Sequence, residues 1–460
     1  MIRKYVLIIV NIAFYLLFGL KGGLFLLGVA VASYGISLLI GNRDPGEAST
    51  PRSYVVLLIG IGIVLAQYLY HQSGAYYPVG FSFYSLMAAG YLIDVYQGKI
   101  KPVKNFGTFF LCLSFFPLII SGPIEKIQHI QEQIENPVIH TDEDMEMKFF
   151  LMILYGLLEK TSIANIAELL VREVFNNYQS HSGLAIVIAT IVFGIQLYAD
   201  FDGYSNIARG TAGLLGIDII QNFKQPYFST SVKEFWRRWH ISLSTWLKDY
   251  VYIPLGGSRC GGIRKNLNVM ITFLVSGLWH GVGLNYVVWG LLHGVYQVIE
   301  GTGVNAGDNR SNKIPKIERN TDISANTGST LRSTGLINIF RMIWTFILVD
   351  FAWFFFRAAS LSDAVGMIKR FGANDVNIGL IEEFTPSGFV DVHLFYMLLG
   401  IVTMTLVDVL RYKKTDLYVI YKRSPIVVRW AFLYGIIFWI IVAFLTTSRF
   451  KMAGFIYGNF

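Results

Sequence analysis

Residues 267–294 read LNVMITFLVSGLWHGVGLNYVVWGLLHG, a nearly continuous apolar stretch in which His280 follows a tryptophan. A run of this length is typical of chain within a membrane, since about 20 helical residues cross the hydrocarbon layer. An ionisable side chain inside such a run is costly and is by default a candidate for function. A second Trp-His pair, Trp239-His240, precedes it. Residues 226–294, which contain both Trp-His pairs, are therefore the candidate functional segment of the chain.

The composition places the whole chain in the same class. Hydrophobic residues make up 54% and charged residues 15%, and the mean hydropathy is +0.50, whereas soluble domains carry about 25% charged residues. Basic residues fall in connecting segments such as 411–414, which is typical of a cytoplasmic membrane face and not of nucleic-acid binding. The sequence predicts an all-α polytopic membrane protein, with residues 1–460 forming a single domain.

Several apolar runs are candidate spans. The N-terminal run mimics a signal peptide but lacks a small-residue cleavage site, so we interpret it as the first retained span. The run Phe106 to Ile120 is short and ends in Ser-Gly-Pro, which favours a re-entrant segment. Residues 301–335 are polar and predict an extramembrane loop. The other predicted spans are residues 5–20, 22–40, 54–70, 76–96, 149–168, 183–199, 336–356, 394–410 and 427–445.

Metal-site signatures are missing from the sequence. Cys112 and Cys260 form no CxxC pair, and the acids and histidines between Glu125 and Lys148 have no HExxH or comparable spacing. A solvated helix or loop explains that polar segment better than a metal site. We therefore predict no bound metal.

Asp200 and Asp202 begin a polar motif, DFDGYSNIARG, after an apolar run. An EF-hand loop needs glycine at its sixth position and glutamate at its twelfth, and this motif has neither. We expect the acids to pair with Arg209 or a nearby basic residue in a polar joint at the membrane edge. The alternative is substrate positioning, for which Asp202 and Tyr204 are the candidates.

The segment around His240 begins with a capping box, Ser231 and Glu234, which predicts a helix from Val232 to about Tyr252. On such a helix His240 shares a face with tryptophan and leucine side chains. Basic residues such as Arg237 beside tryptophans favour an amphipathic helix at the membrane surface. A packed histidine on that helix is the alternative to a functional His240.

His280 has stronger support from the residues alone. Ser276 and Gly277, one turn earlier, predict open space beside the imidazole that a narrow substrate could enter. The competing interpretation is close helix packing by these small residues. His293 is a weaker third candidate, because helix packing explains it equally well.

Two buried histidines suit acyl transfer. Burial favours the neutral imidazole, which can take a proton from a hydroxyl that attacks an acyl carbonyl. The second imidazole can orient the acyl group or donate to the developing oxyanion. Neither a Gly-x-Ser-x-Gly elbow nor a Walker lysine loop is present, so covalent serine catalysis has no support.

Three blocks are distinctive: DFDGYSNIARGTAGLLG (200–216), NFKQPYFSTSVKEFWRRWHISLSTWLKDYVYIPLGGSR (222–259) and SGLWHGVGLNYVVWGLLHG (276–294). They resemble the membrane-bound O-acyltransferase family, in particular its bacterial branch that O-acetylates alginate, peptidoglycan and other exported polymers. Weaker matches at 91–98, 116–124, 340–358 and 455–457 extend the resemblance over most of the chain. The branch that carries D-alanine to teichoic acids is similar in the histidine helix, but residues 253–259 are more like the acetylating branch.

The resemblance implies that His280 is the catalytic histidine and His240 its companion. It implies a ring of tilted transmembrane helices around a central funnel or tunnel, with re-entrant and interfacial helices, in the cytoplasmic membrane. The implied donor is an acyl thioester, commonly acetyl-CoA, used as a substrate without a bound cofactor. Candidates for substrate binding are Trp279, Ser276, Asn285, Arg237, Asp202 and Tyr204.

The sequence as a whole predicts an O-acyltransferase that moves an acetyl group towards a hydroxyl of an exported cell-surface polysaccharide. The resemblance implies an extracytoplasmic partner protein that receives the acyl group across the membrane. The alternatives are D-alanyl transfer to teichoic acid, a non-enzymatic transporter or flippase, and an inactive scaffold that recruits a surface partner.

Overall fold

The computed structural model describes residues 2–41, 58, 62, 78–137, 142–307, 328–371 and 391–447. The regular structure of these residues is helical, and no strand occurs among them. The prediction of an all-α polytopic membrane protein is confirmed. In chain order the α-helices are α1 (Ile2–Leu17), α2 (Leu20–Ile40), α3 (Phe81–Tyr96), α4 (Phe106–Leu113), α5 (Phe116–Ile119), α6 (Ile127–Glu135), α7 (Glu143–Leu158), α8 (Asn165–Asn176), α9 (Gly183–Leu214), α10 (Val232–Arg238), α11 (Ile241–Leu247), α12 (Gly262–His280), α13 (Leu284–Gly307), α14 (Gly328–Arg357), α15 (Leu361–Arg370), α16 (Asp391–Tyr412), α17 (Leu417–Arg423) and α18 (Ile426–Thr447).

Six described helical stretches are long and apolar enough to cross a membrane: Leu20–Ile40, Glu143–Asn176, Gly183–Leu214, Gly335–Arg357, Val392–Tyr412 and Ile426–Thr447. The second of these contains α7, a π-helical segment at Glu159–Ala164 and α8. The protein is therefore a multi-pass membrane protein. The predicted span at 54–70 lies outside the described residues apart from Leu58 and Gly62, and so does the match at 455–457.

The chain forms two compact units. Unit 1 comprises Met1–Val174, Val192–Asn222 and Asn377–Phe460, and unit 2 comprises Phe175–Ile191 and Phe223–Val376. The polar segment 301–335 is helical at both ends, because α13 extends to Gly307 and α14 begins at Gly328. Residues 308–327 of that segment lie outside the described residues.

In unit 1, the short apolar run predicted to be re-entrant forms two helices, α4 and α5, separated by Ser114 and Phe115. The fully buried Asn11 of α1 forms hydrogen bonds with both sides of this break. Its amide donates to Ser114 Oγ (3.2 Å), and its side-chain oxygen accepts from Phe116 N (3.1 Å). A proline in the first turn of α5 fits the restart, because the first helical N–H groups need no partner within the helix. The polar side chain of α1 therefore fixes the interruption.

Helices α7 and α9 meet along a line of glycines in unit 1. A Cβ on Gly156 would lie 2.4 Å from the carbonyl oxygen of Gly203, and a Cβ on Gly210 would lie 2.6 Å from that of Phe149. Small residues allow two helix backbones to approach this closely in membranes. Helix α9 also continues unbroken through Asp200–Leu214. The polar motif that begins at Asp200 therefore lies on a continuous helix.

In unit 2, the helix predicted from Val232 to Tyr252 is broken. Helix α10 ends at Arg238, α11 begins at Ile241, and residues 248–252 form a π-helical segment. The predicted start is correct, since Ser231 Oγ accepts from Glu234 N at 3.1 Å. The Glu234 carboxylate accepts from the backbone N–H and the hydroxyl of Thr230, both at 2.8 Å. Its contact is therefore with the residue before the N-cap Ser231.

Helices α12 and α13 form a tight hairpin in unit 2. A Cβ on Gly277 would lie 2.4 Å from the carbonyl oxygen of Tyr286, and a Cβ on Gly290 would lie 2.4 Å from that of Phe273. The two backbones are therefore in close contact where the predicted groove would be. Close packing, and not open space, is the role of Gly277, and the expectation of a groove there is wrong.

Candidate active site

His280 is the last residue of α12 and is only 3% exposed. Its ring centroid lies 5.1 Å from that of Trp289 on α13 and 5.0 Å from that of Phe356 on α14. The neighbouring Trp279 ring is 4.7 Å away. The α12–α13 hairpin thus places the imidazole among aromatic rings that exclude water, and such a site favours a neutral histidine.

His240 lies in the break between α10 and α11 and is 1% exposed. Its backbone φ is +43°, a left-handed conformation that is unfavourable for a residue with a Cβ. Trp239 N donates to Phe235 O (2.8 Å) and closes α10, while His240 O accepts from Ser244 N (3.0 Å) and starts α11. The strained residue therefore redirects the chain and buries its own imidazole, a pattern that is common at functional sites.

Trp279 connects the two histidines. Its ring centroid is 6.2 Å from that of His240 and 4.7 Å from that of His280. Burial lowers the pKa of His240 well below its ordinary value, and the nearby His280 lowers it further. At neutral pH, His240 is therefore an uncharged imidazole that can donate one hydrogen bond and accept another.

The other residues of unit 2 that were predicted to bind substrate differ in burial. Ser276 is buried one turn before His280. Asn285 is also buried, and its amide donates to the carbonyl oxygen of Ala358 at 3.0 Å, which ties the start of α13 to the end of α14. Arg237 is exposed on α10. Thus Trp279 and Ser276 lie beside His280, Asn285 contacts backbone, and Arg237 faces outward.

Asp202 and Tyr204 belong to unit 1, whereas both histidines belong to unit 2. Asp202 is buried on α9 one turn before Asn206, whose amide donates to Glu159 Oε2 at 3.1 Å. The Lys160 ammonium lies 5.2 Å from the Tyr204 ring centroid and pairs with Asp200 at 2.5 Å. The expected pairing of the acids with a basic residue is thus observed, although Asp200 takes Lys160 as its partner and not Arg209.

An aromatic cluster around His293 was not predicted. His293 is fully buried, and its Nδ1 accepts a 3.2 Å hydrogen bond from Trp236 Nε1. Trp289 contacts both His293 and His280, with ring centroids 5.1 Å apart in each pair, and it stacks on Trp353. The spacing of Trp289 and His293, four residues apart, places them on one helix face and could have revealed the cluster.

The arrangement can carry out proton transfer within a buried aromatic cluster. A neutral imidazole within reach of a hydroxyl acts as a general base, and a second imidazole can donate to an oxyanion. Among the described residues, no group of three His, Cys, Asp or Glu side chains is placed to hold a metal ion. That the chemistry uses no metal and no bound cofactor stays a prediction.

The relatives of this chain include several named bacterial enzymes. The probable alginate O-acetylase AlgI of Pseudomonas fluorescens is 35% identical over 285 residues, which is 62% of this chain and 52% of that protein. AlgI of Pseudomonas syringae pv. tomato is 31% identical over 408 residues, covering 84% of this chain and 73% of that protein. The peptidoglycan O-acetyltransferase of Helicobacter pylori is 30% identical over 330 residues, which is 65% of this chain and 58% of that protein. The chain thus spans only about half the length of the first of these relatives.

A family-level comparison agrees with these similarities. The profile of the membrane-bound O-acyltransferase family matches residues 65–302, which include both His240 and His280. The matched region covers more than half of the 460 residues. With its six candidate spans and its helical architecture, the chain belongs to the membrane-bound O-acyltransferase family.

Proposed function

We propose that this chain is an O-acyltransferase that moves an acetyl group from a thioester donor, such as acetyl-CoA, to a hydroxyl of an exported cell-surface polysaccharide. The observation that carries the proposal is the buried pair His240 and His280, both of whose rings contact Trp279, within the family-matched residues. Relatives named for O-acetylation of alginate and of peptidoglycan support a polysaccharide acceptor.

In the proposed reaction, His280 acts as the general base. Its neutral imidazole takes the proton of the acceptor hydroxyl while the hydroxyl oxygen attacks the thioester carbonyl. A carbon–oxygen bond forms, the carbon–sulfur bond breaks, and the departing thiolate takes up the proton from the imidazolium. His240, kept neutral by burial, donates a hydrogen bond to the carbonyl oxygen as negative charge develops there.

In this proposal the hydroxyl that attacks the thioester belongs to an extracytoplasmic partner protein, and the polysaccharide receives the acetyl group from that protein. The acyl group is handed across the membrane to that protein, which then modifies the polysaccharide. Burial of both histidines supports a route in which the acyl group is kept away from water. The cytoplasmic membrane is the proposed location, since the donor is made in the cytoplasm and the polymer is exported.

The test is acyl transfer by the purified protein in lipid nanodiscs. Labelled acetyl thioester and a hydroxyl acceptor should give labelled ester and free thiol in equal amounts. A D-alanyl thioester offered in its place should not react. Preference for the D-alanyl donor would assign the chain to teichoic acid modification. Substrate flux across proteoliposomes without thioester cleavage would instead indicate a transporter and contradict the proposal.

A further inference from the structure

Glu159 and Asp202 form a buried carboxyl pair in unit 1. Glu159 lies in the π-helical segment after α7 and is 0% exposed, and Asp202 lies on α9 and is 4% exposed. The glycine contact between the two helices brings them together, because a Cβ on Gly203 would lie 3.3 Å from the Glu159 Cβ. Asn206, one turn after Asp202 on α9, donates to Glu159 Oε2, so the carboxyl groups of Asp202 and Glu159 lie at the same helix contact.

A hydrogen bond between two carboxyl groups requires a proton. Ionised carboxylates only accept hydrogen bonds, so two of them side by side would repel each other. Asn206 supplies one donor, since its amide donates to Glu159 Oε2 at 3.1 Å. The other oxygen, Glu159 Oε1, has no donor among the described residues. A proton held between the two carboxyl groups would complete their hydrogen bonds.

The surrounding charges agree with one bound proton. The pair interacts with two guanidinium groups, Arg209 and Arg411, and with a third carboxyl group, Asp408. Asp408 accepts a 2.8 Å hydrogen bond from Tyr198, and Arg411 lies 4.9 Å from the Tyr155 ring centroid. Three carboxylates and two guanidinium groups leave one negative charge uncompensated, and a single bound proton makes the cluster neutral.

We propose that Glu159 and Asp202 form a proton-binding site within the membrane-spanning helices of unit 1, holding one proton between them at neutral pH. The π-helical segment supports this, since such segments are frequent at functional sites. Ionisable groups at this depth in a membrane protein commonly take up and release protons. The site is independent of the two histidines and does not rest on the proposed acyl transfer.

Infrared spectroscopy of the full-length protein in lipid nanodiscs tests the site directly. A protonated carboxyl group gives a carbonyl stretching band that shifts when H2O is replaced by D2O. The wild-type protein should show this band at neutral pH. In the Glu159→Gln and Asp202→Asn variants the area of this band should fall by the contribution of one protonated carboxyl group, because the remaining carboxyl group ionises beside the two arginines.

The matched control is Glu143→Gln, the same change at an exposed residue at the start of α7. This variant should keep the full band. Wild-type protein with 13C-labelled aspartate or glutamate carboxyls provides the assignment without any substitution, and either label should shift the same band. The absence of a deuterium-sensitive band in the wild type, or a full band in either folded variant, would overturn the proposal.

Discussion

Trp236 Nε1 donates a 3.2 Å hydrogen bond to Nδ1 of His293, and both side chains are buried. This bond fixes the tautomer of His293, because the accepting Nδ1 carries no proton and the neutral ring holds its proton on Nε2. The Trp236 ring also packs against Trp289, which contacts His280. The hydrogen bond therefore stabilises the aromatic cluster whose Trp289 contacts the candidate base.

Trp236→Phe should destabilise the protein by about 1–3 kcal/mol, since a buried acceptor loses its donor. The free energy of unfolding in mild detergent measures the effect. Trp344→Phe is the matched control, because Trp344 is 58% exposed, and it should change stability by less than about 0.5 kcal/mol. Equal effects of the two substitutions would show that the hydrogen bond contributes nothing.

The left-handed backbone of His240 predicts different stabilities for two variants that both lack the imidazole. His240→Gly should be more stable than His240→Ala by about 1 kcal/mol, because glycine adopts positive φ without the steric cost. Both variants should lose acyl transfer. Thermal unfolding of the two proteins side by side provides the comparison, and an alanine variant as stable as the glycine variant would argue against strain at this residue.

Gly277→Ala should destabilise the α12–α13 hairpin by about 1–3 kcal/mol, because the new methyl group would overlap the carbonyl oxygen of Tyr286. Gly262→Ala, at the start of the same helix, is the control. A Cβ at Gly262 meets no atom within 4 Å, so its effect should stay below about 1 kcal/mol. Unfolding in detergent measures both, and a neutral Gly277→Ala would contradict the tight hairpin.

The lowered pKa of His240 predicts a pH dependence of stability. The unfolded chain takes up a proton on this histidine below about pH 6.5, while the folded state stays neutral, so acid favours unfolding. Above that pH both states are neutral and the effect vanishes. Below it, the wild type should lose stability more steeply than His240→Gln, by about 1.4 kcal/mol per pH unit. Unfolding free energies between pH 5 and 8 test this, and parallel slopes would contradict a buried neutral His240.

The sequence predicts the helical membrane architecture well because apolar runs are a local signal. The described helices α2, α14, α16 and α18 overlap the predicted spans at 22–40, 336–356, 394–410 and 427–445. The break at His240 could not be predicted in the same way. The sequence around it has a helical pattern, and the left-handed turn is imposed by tertiary burial of Trp239 and His240, which local propensity does not reveal.

The candidate site was predictable in part. His280 stood out from its depth in an apolar run and from the family resemblance, and the contact with Trp279 joins it to His240. The predicted groove at Gly277 is wrong, because small residues on a helix indicate either a groove or a close neighbour, and α13 packs against that residue. Asp202 and Tyr204 belong to unit 1 and the histidines to unit 2, an assignment that spacing along the chain cannot show.

The central claim is that His280 is the base for acyl transfer, and the acetyl content of the cell-surface polymer tests it most directly. A strain that lacks this protein is complemented with the wild type, with His280→Ala, or with His129→Ala, a control histidine outside the aromatic cluster. His280→Ala should accumulate in the membrane as a folded protein and restore less than about 1% of the wild-type acetyl groups, since general base catalysis contributes roughly 10²–10⁴-fold. His129→Ala should restore them fully. Normal acetyl content in the His280→Ala strain would contradict the claim.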